Sequence, residues 1–382
     1  MIFQAQKHIL FNSPHSPEIK PRVSIFFFFT FHFFPDLTYN LFRMERTSPR
    51  YLIAGQLSRE YVILPSGIPL LDVPGGNALF AAVGLAIWEP DPPPGVVARV
   101  GEDYPQEWLD DFTRHGLDIR GVRVLPHAVD VRAFYAFIDR LTRSNDDPVT
   151  HFARLGLPFP KALLGYRNGA SILDSRTRLL PTSLRQGDIP SDFLDANACH
   201  LCPLDYLTHS VLPAVLRQAE FTTLTLDPSS GYMNPTFWGD VPALVTGLSA
   251  FLPSEEEVRA LFKGRSNDLW EMAEALAAYG CEIVVLKCGE RGQLLYDAAT
   301  RSHWEVPPYP CRLEDPTGAG DAFCGGFLAG YRRTYDPLQA VLHGNISASL
   351  VMEGINPFYA LEALPGLPEA RLDALRQSAR KV

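Results

Sequence analysis

Asp315-Pro316-Thr317-Gly318-Ala319-Gly320-Asp321 runs without a break into Ala322-Phe323-Cys324-Gly325-Gly326-Phe327-Leu328-Ala329-Gly330-Tyr331. The second part has the spacing of a helix. Phe323, Phe327 and Tyr331 fall on one face, and Gly325, Gly326 and Gly330 allow close packing. The first part is a glycine-rich turn that feeds the N-terminus of that helix. Such a turn aims free backbone N–H groups at one spot, and the helix dipole adds positive potential there. The spot suits a phosphate, or the charge that builds on a phosphoryl group in transfer. Asp321, in the first turn, is placed to take a proton from an attacking hydroxyl. The run is not a Walker A loop, because no Lys-Ser/Thr follows its glycines.

Around this stretch the chain alternates short apolar runs with helical patterns. Tyr51–Gly55, Val96–Val100, His200–Leu204, Thr223–Leu226, Ala250–Leu252 and Ile283–Lys287 read as buried strands. Ala78–Trp88, Tyr104–His115, Glu255–Lys263 and Asp268–Tyr279 read as helices. That alternation predicts an α/β fold with a central, mainly parallel sheet flanked by helices, its ligand site beyond the carboxyl ends of the strands. Tyr61–Leu64 and Leu70–Val73 look like further short strands, and Val122–Leu125 and Val131–Ile138 alternate like a half-exposed pair. Residues 140–190 fit no pattern.

The whole chain of 382 residues is 46% hydrophobic and 20% charged, which excludes a mostly disordered protein. A formal net charge of −9 argues against gripping nucleic acid through the overall field. The six cysteines form no disulfide framework, so a reducing, cytoplasmic compartment is expected. Cys199 and Cys202 have metal-pair spacing, but on a strand positions i and i+3 face opposite ways, so two buried structural cysteines are the expectation. Residues 1–43 do not belong with the rest. Their run Ile25 to Phe34 is about half the ~20 residues of a membrane span. A targeting segment, a membrane-surface anchor and sequence outside the functional protein compete there; the last is favoured, with the folded domain spanning 44–382 and no membrane span.

The stretch 315–321, with Gly325-Gly326, resembles the second signature of the pfkB, or ribokinase-like, carbohydrate kinases, whose pattern is D-T-x-G-A-G-D. Gly75-Gly76 resembles the first signature. Gly101-Glu102-Asp103, Asp227-Pro228 and Lys287-Cys288-Gly289-Glu290-Arg291-Gly292 resemble three further family features, in the family's order. Together they span residues 51 to about 360.

The resemblance implies a ribokinase-like fold, with a small β lid drawn from about 56–74 and 120–138. It implies transfer of the γ-phosphoryl of ATP to an alcohol of a sugar, nucleoside or related small molecule, with Mg2+ as cofactor and K+ left open. Asp321 would be the base, and the N–H groups of Gly318, Ala319, Gly320 and Asp321 the anion hole. Lys287, Gly289, Gly292, Asp315, Thr317 and Asn345 would serve ATP. Glu60, Gly75, Gly76 and Asn77 would serve the substrate, and Glu257 the metal. The lid also offers a homodimer surface.

Three positions depart from the family. Ser254 stands where members carry Asn in N-x-x-E, and Glu60 replaces the early substrate Asp. Phe80 stands at the position of the Asn that follows the Gly-Gly pair. Gly76-Asn77-Ala78-Leu79-Phe80 and Ala348–Glu353 look closest to a fungal branch that includes a yeast killer-maintenance protein. A catalytically reduced, ligand-binding relative is the alternative reading. A dinucleotide-dependent dehydrogenase is disfavoured, since Gly55 is followed by Gln56-Leu57-Ser58 and not by G-x-G-x-x-G.

Overall fold

The protein is described by a computed structural model that covers residues 48–168 and 174–382. The expectations for residues 1–43 lie outside the described residues. Fourteen strands form two sheets among the described residues. They are β1 (Tyr51–Ala54), β2 (Ser58–Ile63), β3 (Pro69–Gly75), β4 (Gly95–Gly101), β5 (Asp118–Leu125), β6 (Arg132–Phe137) and β7 (Arg143–Ser144). They continue as β8 (Ala198–Leu201), β9 (Thr223–Leu226), β10 (Ala250–Phe251), β11 (Ile283–Lys287), β12 (Gln293–Asp297), β13 (Ser302–Val306) and β14 (Arg380–Lys381).

The large sheet has the order β14-β13-β12-β11-β10-β9-β8-β1-β4-β5. From β5 to β11 every neighbouring pair is parallel, and β12 to β14 add an antiparallel edge. Strands buried on both faces read as unbroken apolar runs, which is why β1, β4, β8, β9 and β11 were legible from composition alone. Strand order reverses at β1, whose neighbours are β4 and β8. A crevice opens at such a reversal, beyond the carboxyl ends of the strands. The two cysteines of the 199–202 pair fall on opposite faces. Cys199 packs with Leu212 and Leu224 on one side, and Cys202 with the core that holds Phe323 on the other.

One face of the sheet is closed by three helices: Asn77–Ala86, Ala319–Thr334 and Pro337–Val351. Their glycines set the spacing. A Cβ on Gly325 would lie 1.8 Å from the carbonyl oxygen of Ala81, and one on Gly84 would lie 2.1 Å from that of Ala322. The contacts are backbone to backbone, so no side-chain rotamer relieves them. Gly325→Ala is therefore expected to push the two helices apart and to destabilise the fold by about 3 kcal/mol, the upper part of the overpacking range. Urea unfolding checks this, and an unchanged midpoint would show that the crossing yields freely.

The small sheet runs β3-β2-β6-β7. Here the structure corrects the sequence reading. Residues 118–125 are not part of it: β5 pairs with β4 as the edge of the large sheet, and it does not pair with β6. An edge strand of a parallel sheet is half-exposed and alternates, so period two could not separate it from a lid strand. The fourth strand is instead β7, drawn from the unassigned segment. That segment also covers the outer face. Tyr61, Ile63, Phe134 and Ala136 pack there against Phe152 of the helix Pro148–Arg154 and against Leu163. The inner face carries Glu60, Val62, Leu64, Tyr135 and Phe137, and it looks toward the crevice.

Candidate active site

The glycine-rich turn sits beyond the carboxyl end of the sheet. Gly318 takes a left-handed backbone (φ 72°) and caps the helix Ala319–Thr334. The N–H groups of Gly318 and Gly320 have no protein acceptor among the described residues. That of Ala319 bends back to the Pro316 carbonyl at 3.3 Å. Of the four N–H groups expected to point at an anion, Ala319's is thus spent on the turn itself. Upstream, Asp315 Oδ1 accepts the Thr317 N–H at 2.9 Å, which fixes the turn's entry. The Thr317 hydroxyl is buried with no partner among the described residues.

Asp321 lies in the first turn of the helix, and its carboxyl is held above the ordinary range. Burial is the main cause. The charges of Lys287 and Arg143 pull the other way. Lys287, at the end of β11, pairs with Asp227 at the end of β9. Its Nζ is 3.6 Å from Cys324 Sγ, and a Cβ on Gly320 would meet it at 3.8 Å. A half-buried ammonium thus lies directly beneath the turn. Burial opposes its charge, but Asp227, Cys324 and Glu257 together hold it well above the usual lysine range.

Glu60, on β2, is buried at the floor of the crevice. Its Oε1 accepts the Ser58 hydroxyl at 2.8 Å and the Gly76 N–H at 2.9 Å. Gly75 makes room for it: a Cβ there would lie 2.1 Å from the Glu60 carboxyl carbon. Burial pushes the Glu60 carboxyl up to about 7, with Asp315 and Asp321 adding to the shift and the two hydrogen bonds opposing it. Gly76 has φ 106°, where a side chain would strike the Gln56 carbonyl.

Two asparagines expected at the site hold the backbone of neighbouring loops. Asn77 Oδ1 accepts the Gln56 N–H at 2.7 Å, and its amide donates to the Pro203 carbonyl at 2.8 Å. It ties the loop after β1 to the loop after β8, with one amide N–H left over. Asn345 Oδ1 accepts the Tyr309 N–H, while its amide donates to Gln293 Oε1 and the Pro307 carbonyl. Its side chain pins the 307–309 segment. A motif match gives the position of such a residue but not which of its atoms are already committed.

Glu257 lies in the first turn of the helix Glu255–Leu261, in a capping box. Its Oε2 accepts from both the N–H and the hydroxyl of Ser254, at 2.8 Å each. No group of three or more His, Cys, Asp or Glu that could hold a metal occurs among the described residues. A carboxylate acting alone suits an ion whose other ligands are phosphate oxygens and water. Gly289 and Gly292, at φ 56° and 80°, shape the turn from β11 to β12.

The crevice is walled by Val62, Leu70, Val73, Phe80 and Ile355, with Glu60, Asp315, Thr317 and Asn356 as its polar side chains. Phe80 lies against the glycine-rich turn: a Cβ on Gly318 would be 2.0 Å from the ring. One residue near the site had no signal in the sequence. Arg143, on the two-residue strand β7, lies opposite Phe137 on β6, and its guanidinium is 4.8 Å from the Tyr135 ring centroid. It has no carboxylate in ion-pair range among the described residues, and its field reaches Asp321.

Comparison with known proteins agrees with this architecture. Residues 194–362 match the pfkB family carbohydrate kinase profile. The cytidine kinase of Thermococcus kodakarensis is 28% identical over 290 residues, covering 74% of this chain and 88% of that protein. Protein MAK32 of Saccharomyces cerevisiae is 24% identical over 316 residues, covering 74% and 78%. The fructokinase of Vibrio cholerae, solved with fructose, ADP and calcium ion bound, superposes with a TM-score of 0.61 at 20% identity, covering 86% of this chain and 99% of that one. The large mainly parallel sheet with its flanking helices and small second sheet is the ribokinase-like fold. Residues 194–362 thus carry a pfkB family carbohydrate kinase match, and the chain is similar to sugar and nucleoside kinases of that family. The likeness to the yeast protein accords with the fungal branch. Among the described residues, no helix is long and apolar enough to cross a membrane.

Proposed function

We propose that this kinase moves the γ-phosphoryl of ATP onto a hydroxyl of a sugar or nucleoside, with Asp321 as the base. The observation that carries the reading is the grouping of a half-buried carboxyl, two unspent N–H groups and a half-buried ammonium at one helix N-terminus. The substrate hydroxyl attacks the γ-phosphorus and gives its proton to Asp321. The bond from the γ-phosphorus to the bridging oxygen breaks, and ADP leaves. The N–H groups of Gly318 and Gly320 face the equatorial oxygens, and Lys287 adds positive field from below. Glu257 is the carboxylate assigned to the magnesium of ATP, which supplies charge neutralisation when bound. Gly289 and Gly292 line the nucleotide side. Glu60 accepts from the substrate, and Gly75 and Gly76 hold it in place.

The apolar walls of the crevice favour an acceptor with an apolar face, such as a nucleoside base, over a fully hydroxylated sugar. The name of the cytidine kinase relative agrees with that choice. Phe80, seated on Gly318, favours the alternative of a binding role without turnover, because the ring narrows the turn's approach. ADP release from magnesium-ATP, measured on the full chain against pentoses, hexoses and nucleosides, separates the two. Turnover with a nucleoside supports the reading. An ATP-induced thermal shift with no turnover on any acceptor would leave the binding role.

Arg143 belongs in this mechanism as a clamp on the transferring group, reaching in from the small sheet. Arg143→Gln is expected to lower kcat about 100-fold, within the range for losing one charge-stabilising donor. The melting temperature should change little, since the side chain is exposed and makes no ion pair among the described residues. A full-rate variant would remove Arg143 from the mechanism.

A further inference from the structure

A second cavity, of about 360 Å3, opens at the β4–β5 margin of the large sheet, beside the carboxyl end of β5. It shares no lining residue with the crevice above the glycine-rich turn. One wall is basic: Arg99 on β4, His127 just after β5, and Arg185. The other is apolar: Leu125, Leu179 and Leu180. Leu179 and Leu180 are 44% and 40% exposed, an apolar surface that no element of the described chain covers.

Arg99 is the informative residue. It is 7% exposed, yet its guanidinium, with five N–H donors, makes one hydrogen bond, from Nη1 to the Ser183 carbonyl at 3.1 Å. Its Nε is buried with no hydrogen-bond acceptor among the described residues. The nearest carboxylate, Asp188, is 3.7 Å from that Nε, beyond hydrogen-bonding range. Asp188 is also shared: its Oδ2 accepts the Arg185 N–H at 2.8 Å, and Arg123 Nε lies 3.8 Å from its Oδ1. One carboxylate therefore serves Arg99 and Arg123 as well as a backbone N–H. Neither Arg185 nor His127 has a carboxylate in ion-pair range among the described residues. A buried guanidinium with unspent donors lining a cavity calls for an acceptor from outside the chain.

We propose that this cavity binds a small organic oxyanion, a carboxylate or phosphate monoester carrying an apolar body. The anionic head meets the donors of Arg99 and Arg185, and the body lies on Leu125, Leu179 and Leu180. An anion matches the positive excess of the basic wall, and the planar guanidinium suits a planar or tetrahedral oxyanion. The site is separate from phosphoryl transfer and uses none of its residues.

Calorimetric titration of the full chain, with its nucleotide site filled by a non-hydrolysable ATP analogue and magnesium, tests this. Phenyl phosphate, benzoate and neutral benzyl alcohol are the probes. At least one anion is expected to bind, with benzyl alcohol at least tenfold weaker. Phenyl phosphate tighter than benzoate assigns a phosphate monoester, and the reverse assigns a carboxylate. Arg185→Ala, at an exposed position, is expected to weaken the anion about tenfold, the equivalent of about 1.4 kcal/mol, and to leave kcat and the KM for ATP unchanged. Leu180→Asp should abolish binding while the fold persists. Absence of binding by both anions at 10-millimolar order, equal binding of benzyl alcohol, or binding indifferent to both substitutions overturns the proposal.

Discussion

Asp321→Asn is expected to lower kcat by about 10³-fold, in the middle of the range for removing a general base. The amide cannot take the hydroxyl proton, yet it keeps the shape of the side chain. Nucleotide binding should survive, because the N–H groups of Gly318 and Gly320 and the Lys287–Asp227 pair are untouched. The KM for ATP should therefore move little, and the thermal shift produced by ATP should persist. The substitution is expected to leave stability level or raised at neutral pH. Burial disfavours the ionised carboxyl there, against the pull of Lys287 and Arg143, and the amide carries no charge to bury. A loss confined to kcat identifies a group that acts in the transition state and not in ground-state binding. Equal losses of ATP affinity and stability would instead make Asp321 a structural residue of the helix terminus, and the reaction would need another base.

The fold was legible where one physical rule dominates. Parallel strands buried on both faces give unbroken apolar runs, and β1, β4, β8, β9 and β11 follow from that rule alone. The glycine-rich turn was legible because backbone chemistry at a helix N-terminus needs glycine at fixed places. The small sheet was only half legible. β5 and β6 share a half-exposed alternation, and which sheet each joins depends on partners far away in sequence. Local pattern holds no record of those partners. The site was legible by position but not by atom. Asn77 and Asn345 sit at the expected places, but Asn345 spends both amide N–H groups on Gln293 and Pro307, and Asn77 spends one on Pro203. Arg143 was invisible because a strand of two residues carries no periodicity. The cavity at Arg99 was invisible for a related reason: it joins β4 to residues 179–185, a segment with no regular pattern of its own.

Glu60 should make both stability and catalysis depend on pH near neutrality. Its carboxyl is pushed up to about 7 in the fold from an ordinary 4.5, mainly by burial. The folded protein thus holds a proton that the unfolded chain releases between those two values. Stability from this group is full below the ordinary value and falls as pH rises toward about 7, by roughly 3 kcal/mol at about 1.4 kcal/mol per pH unit. Glu60→Gln removes that loss. Its Oε1 can still accept from Ser58 and Gly76, and no charge is left to bury. The variant is expected to be the more stable form at pH 8 and level with wild type at pH 5, in urea unfolding at both values. Catalysis should run the other way. An ionised Glu60 accepts a substrate hydroxyl more strongly than a neutral amide, by the equivalent of about 10- to 100-fold. kcat/KM for the acceptor should rise through about pH 7 in wild type, and in Glu60→Gln this inflection should vanish while the rate stays low. Asp315 and Asp321 also face Glu60, and Tyr104 and Tyr135 lie in its field, so the inflection is assigned by its loss in the variant and not by its position. A wild-type stability curve that is flat from pH 5 to 8 would mean that the carboxyl is solvated in the fold, and the apolar crevice would then lose its polar anchor.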